Sequence, residues 1–186
     1  MVLLRKHEGL ITAEEFLHWP DEGRCELVKG KIVHLTASRP LHGLVEVRLS
    51  SRLFNYADST GRGHVLGGEV GLWVRRCPDT VRGADLLFIS RERWARRNPE
   101  GFLDVAPEIV IEILSPDDRR GEVHEKLEEY LDLGVDLVWI VDPEFRCVLA
   151  YRGSLFDVER FEEGDLLRDE EILPGFSLAV ADLFRE

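Results

Sequence analysis

An apolar run rich in β-branched residues, Glu108–Leu114, stops at Ser115-Pro116. A run that is apolar on both faces is typical of a strand in the middle of a sheet, covered on both sides. A second apolar run, Leu137–Val141, follows after a segment with helical spacing. Two buried strands joined by a helix form a βαβ unit, so these residues predict an α/β fold around a covered sheet.

The helix between these strands has recognisable start and stop signals. Asp117 or Asp118 can cap its first turn, and Gly134 ends it after Leu133. The other predicted elements are short helices and strands on either side of this unit. They are a helix from the capping box Thr12–Glu15, two strands within Cys25–Leu35 that turn at Lys29-Gly30, a helix from Leu41 that ends in Ser59–Gly63, strands at Glu69–Val74 and Ala84–Ile89, a loop with a helical turn at Ser90–Gly101, a strand at Cys147–Tyr151, and two elements near Phe156–Phe161 and Leu178–Phe184. The pattern predicts a mixed central sheet in a single domain, residues 1–186.

The composition excludes several classes of protein. No apolar run approaches the roughly 20 residues that span a bilayer, and Met1–His7 lacks the apolar region of a signal peptide. Cys25, Cys77 and Cys147 are scattered and form no CxxC pair, which excludes a disulfide scaffold and a zinc ribbon. We therefore expect a cytoplasmic protein that does not cross a membrane.

The charge balance restricts the partners of the protein. Lys and Arg total 24 against 36 for Asp and Glu, which is a formal net charge of −12. Such a surface repels polyanions over most of its area, which argues against nonspecific coating of nucleic acid. A local basic strip is compatible with this charge, and so is a carboxylate site that attracts anions once a divalent cation fills it.

Glu112 does not fit the core strand in which it lies. On a strand, Val110, Glu112 and Leu114 share one face, where an ionised carboxylate is costly to bury without a positive partner. One interpretation is an ion pair, or a strand-end residue that reaches water. The other is a metal ligand or catalytic carboxylate, whose function would account for that cost.

Asp85 repeats this anomaly at the start of the apolar strand Ala84–Ile89. By alternation it shares a face with Leu87, although an aspartate close to Gly83 can also be an ordinary turn or cap residue. Two carboxylates at the ends of neighbouring buried strands would form an oxygen-rich pocket suited to Mg²⁺ or Mn²⁺. Asp85 and Glu112 together are therefore the candidate metal ligands.

Lys126 lies on the predicted helix, angularly between Val123 and Tyr130 of its apolar face, so its stem leans toward the sheet. The simpler interpretation is a surface ion pair between Glu122 and Lys126, at a spacing of i,i+4. Lys126 is the only lysine after Lys31, in a chain that otherwise uses arginine. A compact ammonium suits a position next to a water or a phosphate oxygen, so Lys126 is a candidate catalytic residue.

Two further residues each have two interpretations. Glu26 lies in a predicted strand and is either another carboxylate of the site or an edge residue opposite a cation. His42, on the inward face of the helix from Leu41, is either a hydrogen-bonded core histidine or a ligand. The sequence contains no evident Ser–His–Asp arrangement, P-loop or GxGxxG motif, so those enzyme classes receive no support.

Eight segments carry a family resemblance. They are Glu26–Gly30, His42, Ala84–Phe88, Pro107–Pro116, Lys126–Tyr130, Gly134-Val135, Trp139–Pro143 and Leu173–Phe176. In this order they resemble the Uma-two (Uma) family, a bacterial group of restriction endonuclease-like proteins. The resemblance covers nearly the whole chain, from Thr12 to Phe184, and the segments are specific as a set.

The resemblance implies the fold of the PD-(D/E)xK nucleases: α/β, restriction endonuclease-like, with a mixed central β-sheet flanked by α-helices. By that likeness Asp85 stands at the aspartate of the PD motif and Glu112 at the acid of (D/E)xK. Two positions depart from the pattern, since Ala84 replaces the proline and Leu114 replaces the lysine. In this family the lysine comes from the following helix, which here means Lys126.

The implied function is that of a metal-dependent endonuclease that hydrolyses phosphodiester bonds, with DNA as the expected nucleic-acid partner. Asp85 and Glu112 would hold Mg²⁺ or Mn²⁺, with the main-chain carbonyl of Ile113 as a further ligand. Lys126 would position the attacking water or offset charge in the transition state, and Glu26 would orient the lysine or a metal-bound water. Scaffold residues around this site are expected at Gly30, Ser115 and Tyr130.

The competing hypothesis is a catalytically inactive nuclease-like fold that acts as a binding or regulatory module. The acidic charge favours it, because an enzyme that cleaves DNA usually gathers basic residues along its groove. Three arginine-rich stretches could line such a groove or could pair with surface acids: Arg75-Arg76, Arg91–Arg97 and Arg119-Arg120. The sequence leaves the oligomeric state open, and a homodimer is one candidate assembly.

Overall fold

A computed structural model of the chain describes residues 9–20 and 23–185. The expectation drawn from Met1–His7, that no signal peptide is present, lies outside these residues. The elements in chain order are α1 (Ala13–Leu17), β1 (Cys25–Val28), β2 (Lys31–His34), α2 (Pro40–Thr60), β3 (Gly63–Arg75), β4 (Thr80–Ser90), α3 (Arg91–Ala95), β5 (Ile109–Ile113), α4 (Arg120–Leu133), β6 (Leu137–Asp142), β7 (Cys147–Arg152), β8 (Val158–Phe161), β9 (Leu166–Leu167), β10 (Leu178–Ala179) and α5 (Val180–Phe184). The predicted elements occur in the predicted order. β3 and β4 are longer than predicted, β9 was not predicted, and the element near Leu178–Phe184 consists of β10 and α5.

Eight strands form one sheet, in which pairing runs in the order β2-β1-β4-β5-β6-β7-β8 while β3 pairs with β4 outside this path. The described strand pairs of this sheet are antiparallel except for β5 and β6, which are parallel. The crossover between these two strands contains α4. The predicted βαβ unit and the mixed sheet are therefore confirmed.

Apolar cores lie on both faces of the sheet. On one face, Leu49 of α2 belongs to the cluster that contains Ile111, and on the other face Leu127 of α4 belongs to the cluster that contains Val110. Successive residues of β5 thus enter different cores, which is why the strand is apolar on both faces apart from Glu112. Among the described residues, no helix is both long and apolar enough to span a membrane.

One edge of β4 is shared between two strands. β1 pairs with this edge through Val81, and β5 pairs with it from Leu86 onward. Residues 82–85 lie between the two, and the Gly83 N–H donates there to the side-chain carboxylate of Glu26 in β1 at 3.1 Å. This gap leaves room in the sheet for a cavity lined by side chains.

The start of α4 corrects one prediction. Its N-cap residue is Arg119, without a side-chain cap, so neither Asp117 nor Asp118 caps the helix. The carboxylate of Asp118 accepts instead from the Ser115 N–H at 2.7 Å. A short acidic side chain can accept from a main-chain N–H in a turn as well as at the start of a helix. At the other end, Gly134 has a φ of 97° and closes the helix as predicted.

Candidate active site

A cavity of about 260 Å³ opens at the gap between β1 and β5. Its walls include Asp85 of β4, Glu112 and Ile113 of β5, Lys126 of α4 and Glu26 of β1. These are the residues that the sequence assigns to catalysis and metal binding. The fold brings all of them to one place from four different elements.

The register between β4 and β5 sets the relation of the two candidate metal ligands. The ladder pairs Leu86 with Ile111, and the same antiparallel register brings Asp85 opposite Glu112 where the pairing stops. Beyond this point the Ile113 N–H donates to Asp85 Oδ2 at 2.7 Å, so a side-chain carboxylate accepts in place of a main-chain carbonyl of β4. Asp85 is buried within β4, which excludes the interpretation as a turn or cap residue.

Glu112 is buried between β5 and α4. Tyr130 Oη donates to its Oε1 at 2.5 Å, and Lys126 Nζ lies 3.5 Å from its Oε2. Burial raises the pKa of Glu112 to about 7; the positive charge of Lys126 opposes this shift and the charge of Asp85 reinforces it. Glu112 thus has an ion-pair partner, as one interpretation expects, but a single lysine does not compensate its burial.

Lys126 is held between two carboxylates. Its Nζ lies 2.9 Å from Glu26 Oε1 and 3.5 Å from Glu112 Oε2. Burial lowers the pKa of Lys126, but the two carboxylates outweigh burial, and the pKa is raised above its usual 10.5. The interpretation of Lys126 as the partner of Glu122 in a surface ion pair is wrong, because Glu122 Oε1 lies 3.5 Å from Arg119 Nη1 instead.

The buried ion pairs behind Glu26 were not predicted from the sequence. Arg82 donates to Glu26 Oε2 at 2.9 Å through Nη1 and to Glu129 Oε2 at 2.7 Å through Nε, and all three residues are at most 5% exposed. Glu26 is therefore a carboxylate of the cavity that also pairs with cations, but it is not an edge residue, because β1 lies between β2 and β4. Two features of the sequence could have indicated these pairs: Arg82 lies inside an apolar strand, and Glu129 lies beside Tyr130.

His42 lies against Asp85 from the other side of the cavity. Its Nε2 is 3.2 Å from Asp85 Oδ2, and its Nδ1 is 3.9 Å from Glu46 Oε2. The hydrogen bond to Asp85 raises the pKa of His42 above 6.5, although burial acts in the opposite direction. His42 is therefore a buried, hydrogen-bonded histidine that holds Asp85 in position.

The three expected scaffold residues have different surroundings. Gly30 occupies the turn between β1 and β2 with a φ of 73°, and a Cβ there would lie 2.8 Å from that of Leu10. Ser115 lines the cavity, whereas Tyr130 contacts Glu112 directly. Tyr130 is therefore a direct hydrogen-bond partner of a candidate metal ligand, and not only a scaffold residue.

The predicted arginine strip is not part of this cavity. Among the described residues that line it, none belongs to Arg75-Arg76, Arg91–Arg97 or Arg119-Arg120. Arg93, for example, lies 3.1 Å from Glu108 and 2.6 Å from Asp136, as the surface-pairing interpretation expects. The basic residues that do line the cavity are Arg24, Arg39, Arg82 and Lys126.

The donor set at the cavity fits a hard divalent cation. Asp85 and Glu112 contribute carboxylate oxygens, and burial raises the pKa of Glu112 to about 7 although the charge of Lys126 opposes this shift. Across residues 9–20 and 23–185, no group of three or more His, Cys, Asp or Glu side chains could hold a metal ion. A cation at Asp85 and Glu112 would therefore need the Ile113 carbonyl and water as further ligands, which suits the tendency of Mg²⁺ to keep several waters.

Comparisons with known proteins bear on the family and the fold of the chain. Residues 13–181 match the Uma2 family model, which carries the description "Putative restriction endonuclease". The fold resembles the 1.96 Å crystal structure of "a putative nuclease belonging to DUF820" from Anabaena variabilis ATCC 29413, with a TM-score of 0.78 and 25% sequence identity, covering 94% of this chain and 97% of that chain. No curated protein matches the sequence. The restriction endonuclease-like fold is therefore confirmed, and the chain belongs to the Uma2 (Uma-two) family.

Proposed function

We propose that this protein is a metal-dependent endonuclease that hydrolyses phosphodiester bonds in DNA. The observation that carries the proposal is the convergence of Asp85, Glu112 and Lys126 on one cavity. Two carboxylates and a fixed ammonium are the groups that such hydrolysis needs, as ligands for a cation and as a positive charge beside the phosphate. The family description and the nuclease named for the similar structure support the same activity.

The residues of the cavity have separate tasks in this proposal. Asp85, Glu112 and the Ile113 carbonyl would hold Mg²⁺ or Mn²⁺, an ion that polarises the scissile phosphate and lowers the pKa of a bound water. Lys126 stays protonated between its carboxylates, so it positions the attacking water or stabilises negative charge in the transition state. Glu26, at 2.9 Å, keeps the ammonium in place.

Cleavage of plasmid and single-stranded DNA at low salt, with Mg²⁺, Mn²⁺ or a chelator, tests the proposal. Low salt is needed because an acidic protein offers few phosphate contacts, and these weaken steeply as salt rises. We expect cleavage to require the metal and to disappear in Asp85→Asn and Glu112→Gln. Glu162→Gln, the same change at an exposed carboxylate of the opposite sheet edge, is the matched control. Cleavage that persists in Glu112→Gln would contradict the assignment.

A binding or regulatory module is the second candidate function. The observation that favours it is the net charge of −12 together with the position of the three arginine-rich stretches outside the cavity. Under this alternative the wild-type protein binds a partner tightly but cleaves neither plasmid nor single-stranded DNA with either metal. The cleavage assay therefore decides between the two candidates.

A further inference from the structure

We propose that Arg39 binds a phosphate of the DNA strand and that Asp117 occupies Arg39 until that phosphate displaces it. The inference rests on the proposed function for the identity of the substrate. Arg39 Nη2 donates to both carboxylate oxygens of Asp117, at 2.9 and 2.8 Å, and both residues line the cavity. Arg39 is the N-cap residue of α2 and Asp117 precedes α4, so the pair connects two helices that flank the site.

Arg39 is the cavity cation with the most easily exchanged partner. Arg24, Arg82 and Lys126 each pair with a carboxylate that is itself mostly buried. The side chains of Arg39 and Asp117 are instead 54% and 63% exposed. An exposed ion pair contributes little to stability, so an incoming anion can replace the carboxylate without a large free-energy cost.

The chemistry of Arg39 suits a phosphate better than the single carboxylate it now holds. Only its Nη2 is used toward Asp117, and a planar guanidinium can offer two parallel N–H donors to phosphate oxygens. Arg39 is the N-cap residue of α2 and makes no side-chain cap, so the positive end of a 21-residue helix adds to the attraction. Both features favour a doubly coordinated anion at this point.

The position of Arg39 relates the phosphate to the candidate chemistry. His42 lies three residues further along α2, on a neighbouring part of the same helix face, and contacts Asp85 at 3.2 Å. A phosphate held by Arg39 would therefore lie in the same cavity as Asp85 and Glu112. In a protein of net charge −12, Asp117 then acts as an internal competitor that lowers the affinity for DNA.

Binding of short fluorescent DNA, single-stranded and duplex, to the full chain in a chelator at low salt tests the inference without any cleavage. We expect Arg39→Ala to weaken binding about 3- to 10-fold and to reduce the slope of log affinity against log salt by about 0.7 to 0.9. Asp117→Asn should tighten binding by a similar factor, because the competitor is removed. The matched controls are Arg160→Ala and Glu162→Gln, which alter an exposed ion pair at the opposite edge of the sheet. Each should change binding by less than about 2-fold.

The double variant separates exchange at Arg39 from a general effect of charge. If Asp117 acts through Arg39, Asp117→Asn has no effect in the Arg39→Ala background. Three outcomes would overturn the inference. Asp117→Asn could tighten binding equally with and without Arg39, the control variants could change binding as much as the variants of Arg39 and Asp117, or the wild-type protein could show no measurable binding. Arg39-dependent binding without any cleavage under Mg²⁺ or Mn²⁺ would leave the inference standing and remove the proposed endonuclease activity. Metal-dependent cleavage by a protein whose DNA binding does not depend on Arg39 would support the proposed endonuclease activity and overturn the inference.

Discussion

The hydroxyl of Tyr130 donates a hydrogen bond of 2.5 Å to Glu112 Oε1, across the space between α4 and β5. Burial, reinforced by the charge of Glu112, raises the pKa of Tyr130 well above 10, so the proton stays on the phenol. The bond favours the ionised form of Glu112 and thereby opposes the effect of burial on that carboxylate. A core aromatic residue thus controls both the orientation and the charge of a candidate metal ligand.

Removing this hydrogen bond should make the proposed activity more dependent on pH. In Tyr130→Phe we expect the pKa of Glu112 to rise above 7, because a donor to its ionised form is lost while the ring still fills the core. Metal-dependent cleavage should then fall more at pH 7 than at pH 8.5. The pH profile of cleavage checks this, with Tyr56→Phe, whose hydroxyl contacts the Pro174 carbonyl, as the control. An unchanged profile in Tyr130→Phe would refute the link between the phenol and the ligand.

Without metal, the burial of Glu112 should make the protein less stable as the pH rises. Its native pKa of about 7 is above its usual 4.5, so between these values the native state holds more protons than the unfolded chain. The contribution of Glu112 to stability is therefore fully present below pH 4.5 and is lost as the pH rises through about 7. The difference between the two pKa values corresponds to about 3 kcal/mol.

Glu112→Gln should accordingly stabilise the metal-free protein at pH 8 by about 1–3 kcal/mol relative to its effect at pH 5, because it removes a buried charge. Urea unfolding in a chelator at the two pH values measures this difference. Glu162→Gln, at a carboxylate that is 68% exposed, should change the unfolding free energy by less than about 0.5 kcal/mol at either pH. Equal effects of Glu112→Gln at both pH values would show that burial does not control this carboxyl.

Lys126 should matter for turnover rather than for metal binding. We expect Lys126→Ala to bind Mn²⁺ at pH 8 as well as the wild type, because Asp85 and Glu112 remain, but to cleave about 100- to 1000-fold more slowly. Calorimetric titration with Mn²⁺ and single-turnover cleavage separate the two effects. Lys29→Ala removes a lysine that is 51% exposed and pairs with Glu125, and it should change neither quantity. Loss of Mn²⁺ binding in Lys126→Ala would assign the lysine a structural role instead.

Arg82 should be among the residues most important for stability. Arg82→Met would leave Glu26 and Glu129, which are 2% and 1% exposed, without their shared cation, at a cost of about 3–5 kcal/mol. Adding Glu129→Gln should recover part of this loss, because one of the two buried charges is removed. Urea unfolding measures both effects, and Arg160→Met at an exposed position should cost less than about 0.5 kcal/mol. A loss below about 1 kcal/mol in Arg82→Met would contradict the role assigned to this ion pair.

Much of the candidate site was visible in the sequence because a charged residue inside an apolar run is a local anomaly. Glu112 within β5 and Asp85 within β4 both stand out in this way, and the cavity contains both. The partners of the carboxylates were not visible, because an ion pair such as Arg82 with Glu129 joins residues that are far apart in the chain. For the same reason the sequence could not decide whether the arginine stretches line a groove or pair with surface acids, and Arg93 pairs with acids away from the cavity.

Local patterns along the chain were enough to predict the order of most elements, the βαβ unit at β5, α4 and β6, and the two anomalous carboxylates. Hydrophobic periodicity and turn residues act over a few neighbouring positions, so a linear pattern reports them. The folded chain shows three relations that these patterns do not: Asp85 stands opposite Glu112, Lys126 faces Glu26, and Arg39 pairs with Asp117. These relations depend on strand register and on the packing of two helices against opposite faces of the sheet, which are properties of the whole chain in its native state.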